Sequence, residues 1–189
     1  MEPKNETTNK SISPRERILL TAHDLFYRNG IRATGIDRVI AESKVAKATF
    51  YRHFPSKNEL ILAFLRYRHN NWIDWFADAL QRHGGDIQAL VPALREWFSD
   101  DGFRGCAFIN TLEELGGELP EVIEISRRHK AKMTDMISDL LPRSSERIQI
   151  AQALSVVVDG AIIRAQIDQT PEAALSFIDK IQHALISIE

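Results

Sequence analysis

Residues 34–57 read TGIDRVIAESKVAKATFYRHFPSK, and the fold follows from how this stretch divides. Thr34, with Asp37 three residues on, forms a weak capping box for a first short helix. Ile36, Val39 and Ile40 fall at i, i+3 and i+4 and give that helix one narrow apolar face. The pattern breaks between Glu42 and Val45. A second helix is expected from about Ala46 to His53, with Val45, Thr49 and Phe50 turned inward. Phe54-Pro55 stops it, because a residue before proline avoids the α region. Ser56 and Glu59, in S-K-N-E, cap the next helix and place Lys57 in its first turn.

The other faces of the second helix carry Lys44, Lys47, Thr49, Tyr51, Arg52 and His53, donors suited to phosphate oxygens and base edges. Its short length is one that a major groove admits. Thr34 and Lys57, at helix starts, are expected to hold the phosphate backbone, with Arg32 as a further phosphate contact. Paired amphipathic helices with basic outer faces also occur without any nucleic-acid partner, so the string itself decides. TFYRHFPSKNEL resembles T-[LF]-Y-x-H-F-x-[SN]-K-x-x-L, the segment that marks the tetracycline-repressor (TetR) family of transcription regulators. The resemblance runs upstream through A-T-G-I-D-R-V-I-A and F-Y-R-N-G and covers Pro14 to Leu65. Two positions depart from the family pattern: Lys44 stands where glycine is usual, and Ala46 where serine or threonine is usual. A positive φ at Lys44 costs about 1 kcal/mol, and the missing hydroxyl cap at Ala46 costs about as much again.

The resemblance implies an all-α chain of about nine helices. Residues 1–12 would be a flexible N-terminal arm, 13–57 a three-helix helix-turn-helix DNA-binding domain, and 58–189 a helical ligand-binding and dimerisation domain. Composition agrees with a soluble globular protein: 44% hydrophobic and 26% charged residues. No uninterrupted apolar run approaches the roughly 20 residues that span a bilayer, and the N-terminus lacks the apolar core of a signal peptide. A lone cysteine, Cys106, forbids an internal disulfide and fits a reducing cytoplasm. The net charge of −2 hides an asymmetry. Eleven Lys and Arg against six Asp and Glu give +5 up to Lys57, and thirteen against twenty give −7 beyond it. A cationic head on an acidic body suits a phosphate-binding module.

Outside that stretch, Ser13-Pro14-Arg15-Glu16 caps helix one, which Gly30 ends. Lys4 and Lys10 lie in the arm before it. From Ser56 a long connecting helix runs to about Arg82. Further helices are expected from Asp86 to Phe98, Gly105 to Leu115, Pro120 to Leu141, about Ser144 to Gln166, and Pro171 onward. The resemblance places an effector pocket in the body. Trp72, Trp75, Phe76, Trp97, Phe98, Phe103, Phe108 and Met133 form an aromatic-rich set for it, with Cys106 and Asn110 one helical turn apart beside them. The same residues could equally be plain core, and Cys106 packing rather than a redox sensor. His69, His83, His129 and His183 show no metal-ligand spacing, and no cofactor is expected.

On the last two helices Ile148, Ala151, Ser155, Val158, Ala161 and Ile162 form one stripe, Leu154 and Val157 a second, and Leu175, Ile178, Ile181, Leu185 and Ile188 another. In the resembled family the last two helices of each subunit form a four-helix dimer interface, so Ile148, Ala151, Ser155, Val158, Ile162, Leu175, Ile178, Ile181 and Leu185 are the expected interface; a buried helix pair in a monomer would show the same stripes. The expected function is a ligand-responsive regulator, by default a repressor, that binds a palindromic double-stranded DNA operator as a homodimer in the bacterial cytoplasm. A small-molecule effector of unstated identity would release it, and no membrane partner is expected. An α-helical enzyme and a non-DNA interaction module are the alternatives. Glu113, Glu114 and His129 offer no paired acid–base constellation, and no Gly-rich phosphate loop, H-E-x-x-H or G-x-S-x-G occurs.

Overall fold

The computed structural model describes residues 12–187. Lys4, Lys10 and the expected arm up to residue 11 lie outside the described residues, as does Ile188. The described chain is all-helical: α1 (Pro14–Asn29), α2 (Ile36–Ser43), α3 (Lys47–His53), α4 (Lys57–Arg82), a 3-10 turn (Ile87–Ala89), α5 (Leu90–Phe98), α6 (Ala107–Leu115), α7 (Pro120–Leu140), α8 (Arg147–Asp168) and α9 (Glu172–Ile186).

Local chemistry sets most of these ends. Ser13 Oγ accepts from Glu16 N at 3.2 Å and Ser56 Oγ from Glu59 N at 3.1 Å, so both capping serines act as expected. Gly30 takes φ +85 and its N–H returns to Phe26 O, closing α1. The segment expected as one helix from Asp86 divides in two. Asp86 caps a 3-10 turn through Gln88 N at 2.9 Å, and α5 follows with Pro92 in its first turn.

The core is continuous from head to body. Phe50, Ile18, Leu60, Ile61, Phe64 and Leu65 are fully buried beneath α1–α3, so the first half of α4 belongs to the head's packing. Its second half lends Trp72, Phe76, Ala79 and Leu80 to the body. The head–body boundary expected at residue 57 coincides with the start of α4, whose first half packs with the head. α8 is, by length and composition alone, apolar enough to cross a bilayer, although Asp159 and Arg164 interrupt its apolar run. One of its faces packs on α7 and α9.

Candidate nucleic-acid interface and ligand cleft

The turn between α2 and α3 has the geometry that its odd residues demand. Lys44 sits in the left-handed region at φ 54, ψ 45, and its N–H returns to Ile40 and Ala41 carbonyls. Ala46 occupies the N-cap of α3 and has no side-chain cap, so α3 relies on packing to stay in place. Phe50, without exposed surface, anchors it. Tyr51 stands edge-on to Phe50 at 5.3 Å and is 41% exposed. Lys44, Lys47 and Arg52 are exposed, and Thr49 and His53 are half-buried beside them. Lys47 Nζ reaches Asp37 Oδ1 at 3.3 Å across the turn, a solvent-exposed pair of small strength that a phosphate can replace.

Three expected phosphate contacts are redirected. Thr34 is fully buried, and its hydroxyl donates to Gly30 O at 2.8 Å, tying down the end of α1. The N-cap of α2 is Gly35, which has no side chain to contribute. Lys57 Nζ donates to Ile31 O at 2.6 Å, and burial pushes its pKa down from the usual lysine range. Arg32 turns to the body: its Nε donates to Glu114 O at 2.9 Å and its Nη2 meets Glu118. The cause is shared. The corner between α1 and α2 presents backbone groups without helical partners; Thr34 and Lys57 satisfy two of its carbonyls, and Arg32 binds the end of α6, which caps the corner in return. Glu114, at the end of α6, accepts from the N–H groups of Ile31 (3.1 Å) and Arg32 (2.7 Å). A second fastening lies nearby, where Tyr27 Oη donates to Gly105 O at 2.9 Å and accepts from Arg104 N at 3.0 Å. No spacing rule in the sequence pairs Glu114 with residues more than 80 positions away.

The expected aromatic pocket set is split by the structure. Phe76, Phe98 and Met133 are plain core. Asn110 Nδ2 donates to Arg104 O at 2.9 Å, holding the loop before α6. Cys106 is buried at the N-cap of α6 and, with Phe108, Trp72, Trp97 and His129, surrounds a void of only about 10 Å³. His129 stacks on Phe108 with ring centroids 3.8 Å apart, and burial drives its pKa down to about 2, so it is neutral there. The buried Trp72 Nε1 has no hydrogen-bond partner among the described residues.

The sizeable opening is elsewhere. A cleft of about 460 Å³ lies between α1, α4 and the end of α5. Trp72, Trp75, Trp97 and Phe103 wall it, together with Tyr27 and with His23, Arg28, Arg68 and the carboxylates Asp24, Glu96 and Asp100, which the aromatic set left out.

The expected dimer surface also needs correction. Ala151, Ser155, Val158, Ile162, Leu175 and Ile178 are buried in the subunit's own core, where α8 packs on α7 and α9, and α9 on α8 and α5. Of the expected interface only Ile148 and Ile181 are exposed, and Leu185 is half-buried. The apolar residues left facing outward are Val156 (72% exposed), Ile163, Ile167 (64%) and Phe177 (61%). Val156, Ile163 and Ile167, with exposed Gly160 between, follow spacings of four, three and four, a seam rather than scatter.

A family model described as bacterial regulatory proteins, tetR family, matches residues 18–64, which are α1 to the first turns of α4. The whole described fold agrees: the crystal structure of a TetR-family regulator from Streptomyces coelicolor superposes with a TM-score of 0.83 at 28% identity, over 98% of this chain and 96% of that one. The head of this chain thus matches the tetR family of bacterial regulatory proteins, and its described fold is the one a regulator of that family shows. A putative family regulator from Streptomyces avermitilis gives a TM-score of 0.75 at 26% identity, covering 91% and 97% of the two chains. Among curated relatives, the transcriptional activator FasR of Mycolicibacterium smegmatis is 28% identical over 131 residues, 69% of this chain. The match spans 60% of FasR's length. These relatives are named as transcriptional regulators, not as enzymes. The tetR family thus supplies the helix-turn-helix head that Thr34 to Lys57 were expected to form.

Proposed function

We propose that this regulator acts in the bacterial cytoplasm as a homodimer that places α3 of each subunit in successive major grooves of a palindromic operator, and that a small-molecule effector controls its release. The observation that carries this reading is the exposed face of α3 and its turn, where Lys44, Lys47, Tyr51 and Arg52 stand together on a short helix anchored by Phe50. Those groups suit phosphates and base edges, while Thr34 and Lys57 hold the head's shape and Arg32 ties it to the body. The head, residues 13–57 with the start of α4, does the reading, and the body to residue 189 pairs and senses.

Two half-sites require the two heads to stand about one helical turn of DNA apart, roughly 34–36 Å. An effector that favours a different separation weakens DNA binding only as far as its affinity differs between the two arrangements. Repression follows if the operator overlaps a promoter. Activation is a second reading, favoured by the name of FasR as an activator. Selection of bound duplexes from a random pool is the deciding experiment. A recovered palindrome with half-sites one helical turn apart is the expected result, and a pool without enrichment overturns the reading.

A further inference from the structure

The cleft between α1, α4 and the end of α5 carries unequal charges. Its three carboxylates are each engaged. Asp24 Oδ1 lies 3.1 Å from His23 Nδ1. Asp100 Oδ1 accepts from Gly102 N at 2.7 Å. Glu96 accepts from Arg82 Nη1 and Nη2, at 2.8 and 2.9 Å, and lies 2.6 Å from His83 Nε2. Its two guanidinium groups are different. Neither Arg28 nor Arg68 has a carboxylate partner among the described residues. Arg68 lies over the Tyr27 ring, 4.1 Å from its centroid, and its Nη1 lies 3.4 Å from His23 Nε2. With Nδ1 donating to Asp24, His23 offers Nε2 as an acceptor, so the Asp24–His23 pair fixes Arg68 in place. Burial lowers the His23 pKa, which keeps this ring neutral and able to accept.

The facing wall is aromatic. Trp72 and Trp97 meet at 5.2 Å, and Trp97 meets Phe103 edge-on at 5.5 Å, with Trp75 beside Trp72 at 6.3 Å. All three tryptophans of the chain line this one cleft. Its volume of about 460 Å³ falls within the usual range for small-molecule sites, roughly 300–1,000 Å³. A flat apolar body stacks on the indoles, and a planar anion answers the fork of Arg68, whose geometry matches a carboxylate bidentately.

We propose that this cleft at the junction of head and body is the effector site, and that its ligand is an aromatic carboxylate whose anionic end meets Arg68. The proposal rests on the reading that the regulator answers to a small molecule, and it goes further by naming where and what kind. An organic cation is disfavoured, because each acidic group in the cleft already has a donor and both free charges are positive.

Calorimetric titration of the full chain with 2-naphthoate, 2-naphthamide and 2-naphthylmethylammonium tests it, since the three share a ring system and differ in charge. The carboxylate is expected to bind about 10- to 100-fold tighter than the amide, as a charge-assisted pair does over a neutral one, and the ammonium weakest. Arg68→Gln is expected to bring the carboxylate to the level of the amide, while Trp75→Ala weakens carboxylate and amide alike. Equal binding of the three probes, preference for the ammonium, or undiminished carboxylate binding by a folded Arg68→Gln variant overturns the proposal. If Arg68→Gln does not fold, the charge ranking on the unaltered chain decides alone. No DNA enters this titration. A chain that binds naphthoate yet enriches no duplex refutes the DNA reading only; one that enriches an operator yet ranks the probes otherwise refutes this inference only.

Discussion

Two exposed helix faces carry opposite chemistries. On α3 and its preceding turn the outward residues are Lys44, Lys47, Tyr51 and Arg52, three cations and a phenol. On α8 and α9 they are Val156, Ile163, Ile167 and Phe177, with Gly160 among them. Neither face is needed to complete the subunit's own core. Burial accounts for the inward residues of both elements, and only the outward residues say what each meets. A cationic polar face gains from phosphate, whereas a contiguous apolar seam gains from another apolar seam. The nearest such seam is the same one on a second copy, which a two-fold axis makes self-complementary.

The sharpest way to break that comparison is to charge the apolar seam. Val156→Glu with Phe177→Glu is expected to convert the dimer to a monomer in light scattering and to abolish measurable operator affinity, although the altered residues lie on the body's outer helices. A variant that stays dimeric would move the interface elsewhere. Ionic strength separates the two faces next. Between 50 and 200 mM salt, operator affinity should drop roughly 1,000-fold if about six phosphates are contacted, while the dimer, held by apolar area, should not dissociate. Parallel loss of both would show that the pairing is electrostatic.

A smaller effect is expected from Tyr51→Ala. Losing one base or phosphate contact weakens the preferred sequence about 10- to 100-fold, with the melting temperature unchanged, because Tyr51 sits outside the core that Phe50 fills. Gel-shift titration beside a thermal melt checks both halves. The smallest effect is at the turn. Lys44→Gly removes left-handed strain worth about 1 kcal/mol and should raise the denaturation midpoint, yet lower the salt dependence of DNA binding by close to one phosphate's share.

The head was legible because its rules are local. Capping serines, a proline stop and an i, i+3, i+4 stripe act within a few residues, so α1 to α4 fall close to their expected bounds. The left-handed Lys44 and the uncapped Ala46 were both foreseeable from departures in a short pattern. Errors arose where a side chain's partner lies behind it in the chain or on a distant element. Thr34 looks like a cap but finds the carbonyl of Gly30 behind it, and Arg32 looks free but meets α6. On α8, apolar residues occur all round, so periodicity named the inward stripe of Ala151, Val158 and Ile162 and passed over the outward one. The cleft was half legible. Its tryptophans are conspicuous in the sequence, while Arg68 and His23 join them only because α1 and α4 cross.

One acidic side chain, Glu114, grips the backbone at the corner between the first two helices from the far end of α6. Orientation of the head is thereby fastened to the body at a point outside α3 and outside the apolar seam of α8 and α9. Exchange of that single residue would loosen the tilt of each head and alter responsiveness, while the chemistry of what is read, sensed or joined is preserved. Evolution of new set points in such a regulator thus has a place to act that costs it neither its address nor its partner.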